Sequence, residues 1–289
     1  MRSSRLDLTA DCASCFGLCC VAPSFRASEY FAIDKPIGIA CPNLDEENSC
    51  GIHADLRGRG FSGCMAYTCY GAGQRVSQEL FGGVSWREAP DTAALMFQTL
   101  PIVRQLHELL WFVTEALDRC AVAADHHDLL AVMQATEQWA VMPAADLSWG
   151  DVDHHCRMAE ELLGRVSSTI RATVPVDVRL PAAARAGALR AAQPEADFRG
   201  ADLRGADLCA AGLAGMDLTG ADLRSADLRG TDLRGTRLSG ADLSTSLFLT
   251  ASQLELAHGD GRTRLSPALQ RPRHWSSGPG SSDDVALSR

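Results

Sequence analysis

Ala196-Asp-Phe198-Arg-Gly, Ala201-Asp-Leu203-Arg-Gly, Ala206-Asp-Leu208-Cys-Ala and Ala211-Gly-Leu213-Ala-Gly open a run that keeps a period of five without slip. It continues through Met216-Asp-Leu218-Thr-Gly, Ala221-Asp-Leu223-Arg-Ser, Ala226-Asp-Leu228-Arg-Gly, Thr231-Asp-Leu233-Arg-Gly, Thr236-Arg-Leu238-Ser-Gly and Ala241-Asp-Leu243-Ser-Thr. Ser246-Leu-Phe248-Leu-Thr is a degenerate eleventh unit. A helix repeats about every 3.6 residues and a strand every 2.0, so neither absorbs a strict five. Each unit carries a large apolar residue at its centre, and most carry a small one two places before it. Those two positions are predicted to fill an interior, with Asp and Arg facing water.

The run resembles the pentapeptide-repeat family. The resemblance implies a right-handed quadrilateral β-helix over residues 196–250, four quintets to a coil. Such a solenoid needs caps at both ends. Thr250-Ala-Ser-Gln-Leu-Glu-Leu-Ala-His is predicted to supply one as a short helix within residues 251–275, and the Ser/Gly-rich tail 276–289 reads as flexible. Some members of that family bind type II topoisomerases as DNA mimics. Here eleven quintets make a rod of only about 13 Å, at roughly 4.8 Å per coil. Eight aspartates and six arginines between Ala196 and Thr245 leave a net charge of only −2. Mimicry is therefore disfavoured, and the charged ladders read as a solvated surface on which a protein partner could dock.

The amino-terminal quarter poses a different question. Eight of the eleven cysteines fall between Cys12 and Cys69: Cys12, Cys15, Cys19, Cys20, Cys41, Cys50, Cys64 and Cys69. Disulfides need an oxidising compartment, and the start has basic residues but no apolar run behind them, with Asp7 and Asp11 interrupting its place, so it does not read as a signal peptide. In a reducing cytosol, clustered thiolates are soft ligands for zinc or iron–sulfur clusters, and C-x2-C places two sulfurs on one tight turn. Disulfides and catalytic thiols remain the competing readings. The adjacent pair Cys19-Cys20 suits two thiolates aimed at different centres, or one ligand beside one core residue.

The pattern C-x2-C-x3-C-C, then Cys41-Pro-Asn-Leu, Cys50-Gly-Ile-His53 and Gly63-Cys64-x2-Tyr67-x-Cys69, is similar to the YkgJ-like cysteine-cluster family. That resemblance, over residues 10–75, implies chelation of zinc or iron; a related cluster occurs in flagellin lysine methylases. This chain departs in carrying His53 where an aromatic residue is expected, and Leu56 to Phe61 where an arginine-proline pair is expected. The expected ligands are the eight cysteines, with His53 as a further candidate. If the ends of the region meet, Cys12, Cys15, Cys64 and Cys69 form a natural set of four.

Bulk properties bound the rest. The chain has 289 residues, 46% hydrophobic and 22% charged, which suits a globular protein of more than one domain. A net charge of −9 disfavours a general nucleic-acid binder. No apolar run is long enough to span a membrane, so a cytoplasmic protein is expected. Tyr70-Gly-Ala-Gly-Gln-Arg is glycine-rich but lacks the ending of a phosphate loop.

Domains are expected at 1–87 (cysteine-rich), 88–172 (helical), 173–195 (linker), 196–250 (repeats) and 251–275 (cap). After Pro101, Ile102, Val103, Leu106, Leu109, Leu110, Val113 and Leu117 recur at helical spacing. A second helix is predicted to end near Trp139. A third follows Ser148, its stripe Val152, Cys156, Ala159, Leu163, Val166 and Ile170; together they suggest an antiparallel bundle. Two patches, Asp125-His126-His127-Asp128 and Asp151-Val-Asp153-His154-His155-Cys156, would form a second metal site only if their helices converge. Helix-start chemistry is the favoured reading of their acids. Cys120, Cys156 and Cys209 read as small core residues. No triad, nucleotide loop or carboxylate dyad names a reaction. The sequence therefore predicts a cytoplasmic metal-binding protein with a repeat scaffold, or alternatively a redox protein or metalloenzyme using the cysteine centre.

Overall fold

The computed structural model describes residues 8–174 and 198–276. Beyond their first residues, the expected linker at 173–195 and tail at 276–289 lie outside the described residues. The chain divides into two compact units, Met1–Val166 and Ser167–Arg289.

The first unit begins with short elements tied by turns. They are a 3-10 turn Cys12–Ser14, helix α1 (Leu18–Val21), a 3-10 turn His53–Asp55, helix α2 (Ser62–Met65) and helix α3 (Ala72–Gln74), which runs on as a π-helix Arg75–Leu80. Gly17 starts α1 with φ +65°, and a Cβ there would stand 2.6 Å from Leu44 Cδ1 and 2.9 Å from the Asn48 carbonyl. Both the left-handed backbone and the close approach require glycine.

So small a region cannot build a core alone. Leu18, Val21, Ala22, Ala72 and Val76 instead share one with Met96, Leu100 and Val103 of the next helix. A second nucleus is aromatic: Phe25 stacks on Phe31 at 4.3 Å between centroids and meets Phe61 edge-on. Phe25 and Lys35 exchange backbone hydrogen bonds of 3.0 and 2.8 Å across an antiparallel bridge.

Helix α4 spans Pro90–Arg119. The sequence places its start near Pro101, but the helix begins eleven residues earlier, with Pro90 at its first position and Pro101 inside. Pro101 offers no N–H to the Phe97 carbonyl. The helix persists because Met96, Leu100, Ile102, Val103, Leu106, Leu110 and Val113 are all buried along it, so packing outweighs the lost bond.

Helices α5 (Ala123–Ala140) and α6 (Trp149–Ala172) follow. Arg165 reaches Asp125 and Asp128 near the start of α5, while His155 meets Thr136 and Trp139 near its end. The two helices therefore run antiparallel. Val152, Cys156, Ala159, Leu163 and Val166 are buried, as the stripe predicts. Among the described residues, no helix is long and apolar enough to cross a membrane.

In the second unit the quintets stack. Parallel bridges join residues twenty apart: Asp202 to Asp222 to Asp242, Asp207 to Asp227, Gly212 to Asp232 and Asp217 to Arg237. Hydrogen bonds run both ways along each step, as in Leu223 N to Asp242 O and Asp242 N to Ala221 O, each 2.9 Å. The central leucines from Leu203 to Leu243 are at most 2% exposed, and Ala206, Ala211, Ala221, Ala226 and Ala241 at most 1%. The quintet rule for interior positions thus holds from Leu203 to Leu243, whereas Phe198 and Ala201 in the first two quintets are only partly buried and Asp227, expected to face water, is 2% exposed.

Pairing does not stop at Thr250. Strand β1 (Asp242–Leu243) pairs in parallel with β2 (Arg264–Leu265), and Arg237 bridges His258. Between them sits helix α7 (Ala251–Glu255), whose capping box joins Thr250 and Gln253. Trp275 is 1% exposed, and its Nε1 donates to the Ala257 carbonyl at 3.0 Å. On the surface, Arg204 bonds Asp202 at 2.7 Å and Arg224 bonds Asp222 at 2.5 Å. Arg264 reaches Asp242 at 3.2 Å.

Candidate metal centre

The eight amino-terminal cysteines are all free, and none forms a disulfide. Cys12 opens the first 3-10 turn and Cys15 follows it, and the Asp11 side chain caps the turn by accepting from the Ala13 amide. Cys19 and Cys20 lie on α1, their sulfurs 3.9 Å apart. The Cys41 amide donates to the Cys20 carbonyl at 2.9 Å, which holds the loop carrying Cys41 against the helix.

Cys69 precedes α3, and glycine at the second position of that helix matters. A Cβ at Gly73 would stand 2.7 Å from the Cys15 sulfur and 4.0 Å from the Cys69 sulfur. Gly73 therefore leaves the space in which those two thiols approach.

The thiols fall into two neighbourhoods that meet at Cys19. Cys12 and Cys15 interact electrostatically with Cys69 and Cys19. Cys64 and Cys50 interact with Cys41 and Cys19, and Cys50 also hydrogen-bonds with Cys20. His53 is exposed, outside either group.

Burial pushes the Cys15 and Cys64 thiols up to about 11, and contact with the Cys20 thiol pushes Cys19 up further. A dense group of thiols in partial burial disfavours its own ionisation; a bound cation reverses that balance. Cys12 and Cys19 are exposed and Cys41 is buried, so the group reaches from solvent into the fold.

Among the described residues, no three His, Cys, Asp or Glu side chains already enclose a single cation. The donor chemistry nonetheless fits a soft metal. The 3.9 Å between Cys19 and Cys20 is close to the ~3.8 Å edge of a tetrahedron of sulfurs each about 2.3 Å from zinc. Each cysteine adjusts through one side-chain torsion.

Two surroundings escaped the sequence reading. Lys35 is buried, and its Nζ donates to three backbone carbonyls beside α1. Burial lowers its pKa, while the charges of Cys41, Cys20 and Cys19 act in the other direction. Tyr67 lies against Arg104, whose guanidinium is 5.8 Å from its ring centre, and its hydroxyl feels Cys19, Cys69 and Cys15. A cleft of about 460 Å³ opens between Thr9, Ala10 and Asp11 on one side and Gly71, Gln74, Arg75 and Glu79 on the other.

The histidine patches do not make a second centre. His155 is used structurally, with Nε2 2.8 Å from Thr136 Oγ1 and its ring stacked on Trp139. Asp125 and Asp128 face Arg165, and His127 and His154 are exposed. Cys156 is buried, while Cys120 and Cys209 are half-buried.

The Pentapeptide repeats family matches residues 195–224 and 211–244, in eight copies, so this part of the chain is a pentapeptide-repeat region. The chain is also 49% identical over 269 residues to YybG of Bacillus subtilis (strain 168), described as an uncharacterized protein; this covers 93% of the chain and 95% of YybG. The chain belongs to the family of YybG. No solved structure matches it.

Proposed function

We propose that residues 12–69 hold zinc or iron, the latter alone or as an iron–sulfur cluster, through Cys12, Cys15, Cys19, Cys20, Cys41, Cys50, Cys64 and Cys69. The observations that carry this reading are the Cys19 and Cys20 sulfurs 3.9 Å apart and the approach of the Cys15 and Cys69 sulfurs to one glycine, Gly73, in a region whose short elements have little apolar core of their own. Metal ligation supplies folding free energy where such a core is thin. Eight thiols suffice for two four-sulfur centres, and the two neighbourhoods that meet at the Cys19–Cys20 pair favour that division. Ligation requires these side chains to rotate inward and to release their protons. A bound zinc would serve structure, whereas an iron–sulfur cluster would add electron transfer.

The stacked quintets then act as a scaffold with a docking surface for a protein partner. We infer that the stack is a right-handed quadrilateral β-helix, which four quintets per twenty-residue step support. A cytoplasmic location follows from this thiol chemistry rather than from the fold.

A second reading, a redox protein or metalloenzyme, draws on the exposed Cys12 and Cys19 and on the polar cleft at Asp11 and Gly71. The visible spectrum of protein purified without oxygen separates the two. Brown absorption that bleaches in air supports the redox reading. A colourless protein that releases zinc when its thiols are blocked supports the structural one.

A further inference from the structure

Lys35 is the only lysine in the chain; the other 26 basic side chains are arginine. It is also 3% exposed. Its ammonium has three protons, and Nζ donates to the carbonyls of Val21 at 3.0 Å, Pro36 at 3.1 Å and Ile39 at 2.8 Å. The Phe25 ring centre is 5.6 Å away. Three donors meeting three carbonyls mark an ammonium ion, not an amine nucleophile. An arginine fork is planar and cannot point its protons at three carbonyls from one atom, which accounts for lysine in an otherwise arginine-only chain.

A buried cation is costly unless negative charge lies near. Among the described residues, no carboxylate pairs with Lys35. Its hydrogen bonds to Val21 and Ile39 instead tie the ammonium to the backbone one residue after Cys20 and two residues before Cys41. Val21, which accepts one of its hydrogen bonds, directly follows Cys20 on α1, and Cys41 is bonded to the Cys20 backbone.

The geometry points to Lys35 as the counter-ion of an anionic thiolate centre that includes Cys19, Cys20 and Cys41. This rests on the metal reading above. Each ligating thiol gives its proton to water, and four thiolates around a divalent ion leave an excess of negative charge. Lys35 is a positioning residue: it touches no metal, but it balances the charge the sulfurs acquire on ligation.

The test compares the wild-type chain with Lys35→Met, which removes the charge and the donors, and Lys35→Gln, which keeps donors without charge. Metal-free protein is titrated without oxygen with cobalt(II), and separately reconstituted with iron(II) and sulfide. Thermal unfolding of the metal-free forms is followed in parallel. Both variants are expected to bind cobalt(II) about tenfold or more weakly, while their metal-free forms still fold under the conditions in which the metal-free wild-type chain folds. Wild-type affinity in Lys35→Gln overturns the inference. So does failure of both variants to fold without metal where the metal-free wild-type chain does fold, which would assign Lys35 to the fold alone. Wild-type protein that takes up neither cobalt nor iron removes the metal reading itself, and this inference with it.

Discussion

The sulfurs of Cys19 and Cys20 stand 3.9 Å apart on one short helix, where the two groups of thiols meet. Neighbouring residues on a helix point about 100° apart, so this pair can serve two ions or share one. Replacing either should therefore damage more than a peripheral contact. Cys20→Ser is expected to lower metal affinity by more than the roughly 10- to 100-fold that loss of an outer-shell partner costs. Cys120→Ser, outside the group, should leave it unchanged. Metal retained per chain after dialysis against a chelator checks both.

His107 gives the fold a specific pH dependence. It is 1% exposed, Nδ1 lies 2.6 Å from the Tyr70 carbonyl, and burial lowers its pKa from 6.5 to about 4. The imidazole stays neutral in the fold, whereas the unfolded chain protonates it below 6.5. The unfolded state thus binds the extra proton between pH 6.5 and about 4. Stability falls as pH drops through that window and levels off below it, for this group by about 3 kcal/mol. Urea unfolding at pH 7, 5.5 and 4 should show this slope, and His107→Gln should flatten it. Parallel curves for the two proteins would refute the assignment.

The stacked quintets depend on their central side chain. Leu228 is fully buried among the other leucines. Leu228→Ala should cost about 2–5 kcal/mol through lost burial and the cavity left behind. Arg234, paired with Asp232 at 2.6 Å on the surface, is about half exposed; Arg234→Ala should cost no more than about 1 kcal/mol. Denaturant midpoints of the two variants decide whether interior packing or the charged ladder holds the stack.

Glycine ends most quintets because the chain turns there through positive φ. Gly220 has φ +68° and nothing within 4 Å of where a Cβ would lie. Gly220→Val therefore tests backbone conformation without a clash, and should destabilise by about 1–3 kcal/mol. Ser225, at the same place in the next quintet, already adopts φ 57°. Ser225→Gly should change stability little or raise it slightly. A neutral Gly220→Val would show that the turn relaxes elsewhere.

The repeat region was legible because one rule, a large residue every fifth position, governs burial from Leu203 to Leu243. It fails past Thr250, where α7 lengthens the step: Arg237 pairs with His258 and Asp242 with Arg264, more than twenty residues on. Pro101 misled the reading of α4 because local propensity favours a first-turn proline, while the core around Leu100 and Val103 carries the helix through it. The cysteine spacing was visible, but how the thiols divide was not. Lys35 lay in an aperiodic stretch, and its one signal was being the only lysine.

The central claim is that these eight sulfurs hold an ion. It is tested most directly by counting zinc, iron and copper per chain, with acid-labile sulfide, in protein purified without oxygen. The account predicts one or two equivalents of zinc, or iron with matching sulfide, lost when Cys19 and Cys20 are both replaced by serine. Full-length folded protein with no metal above background, its eight thiols all titratable, would contradict it.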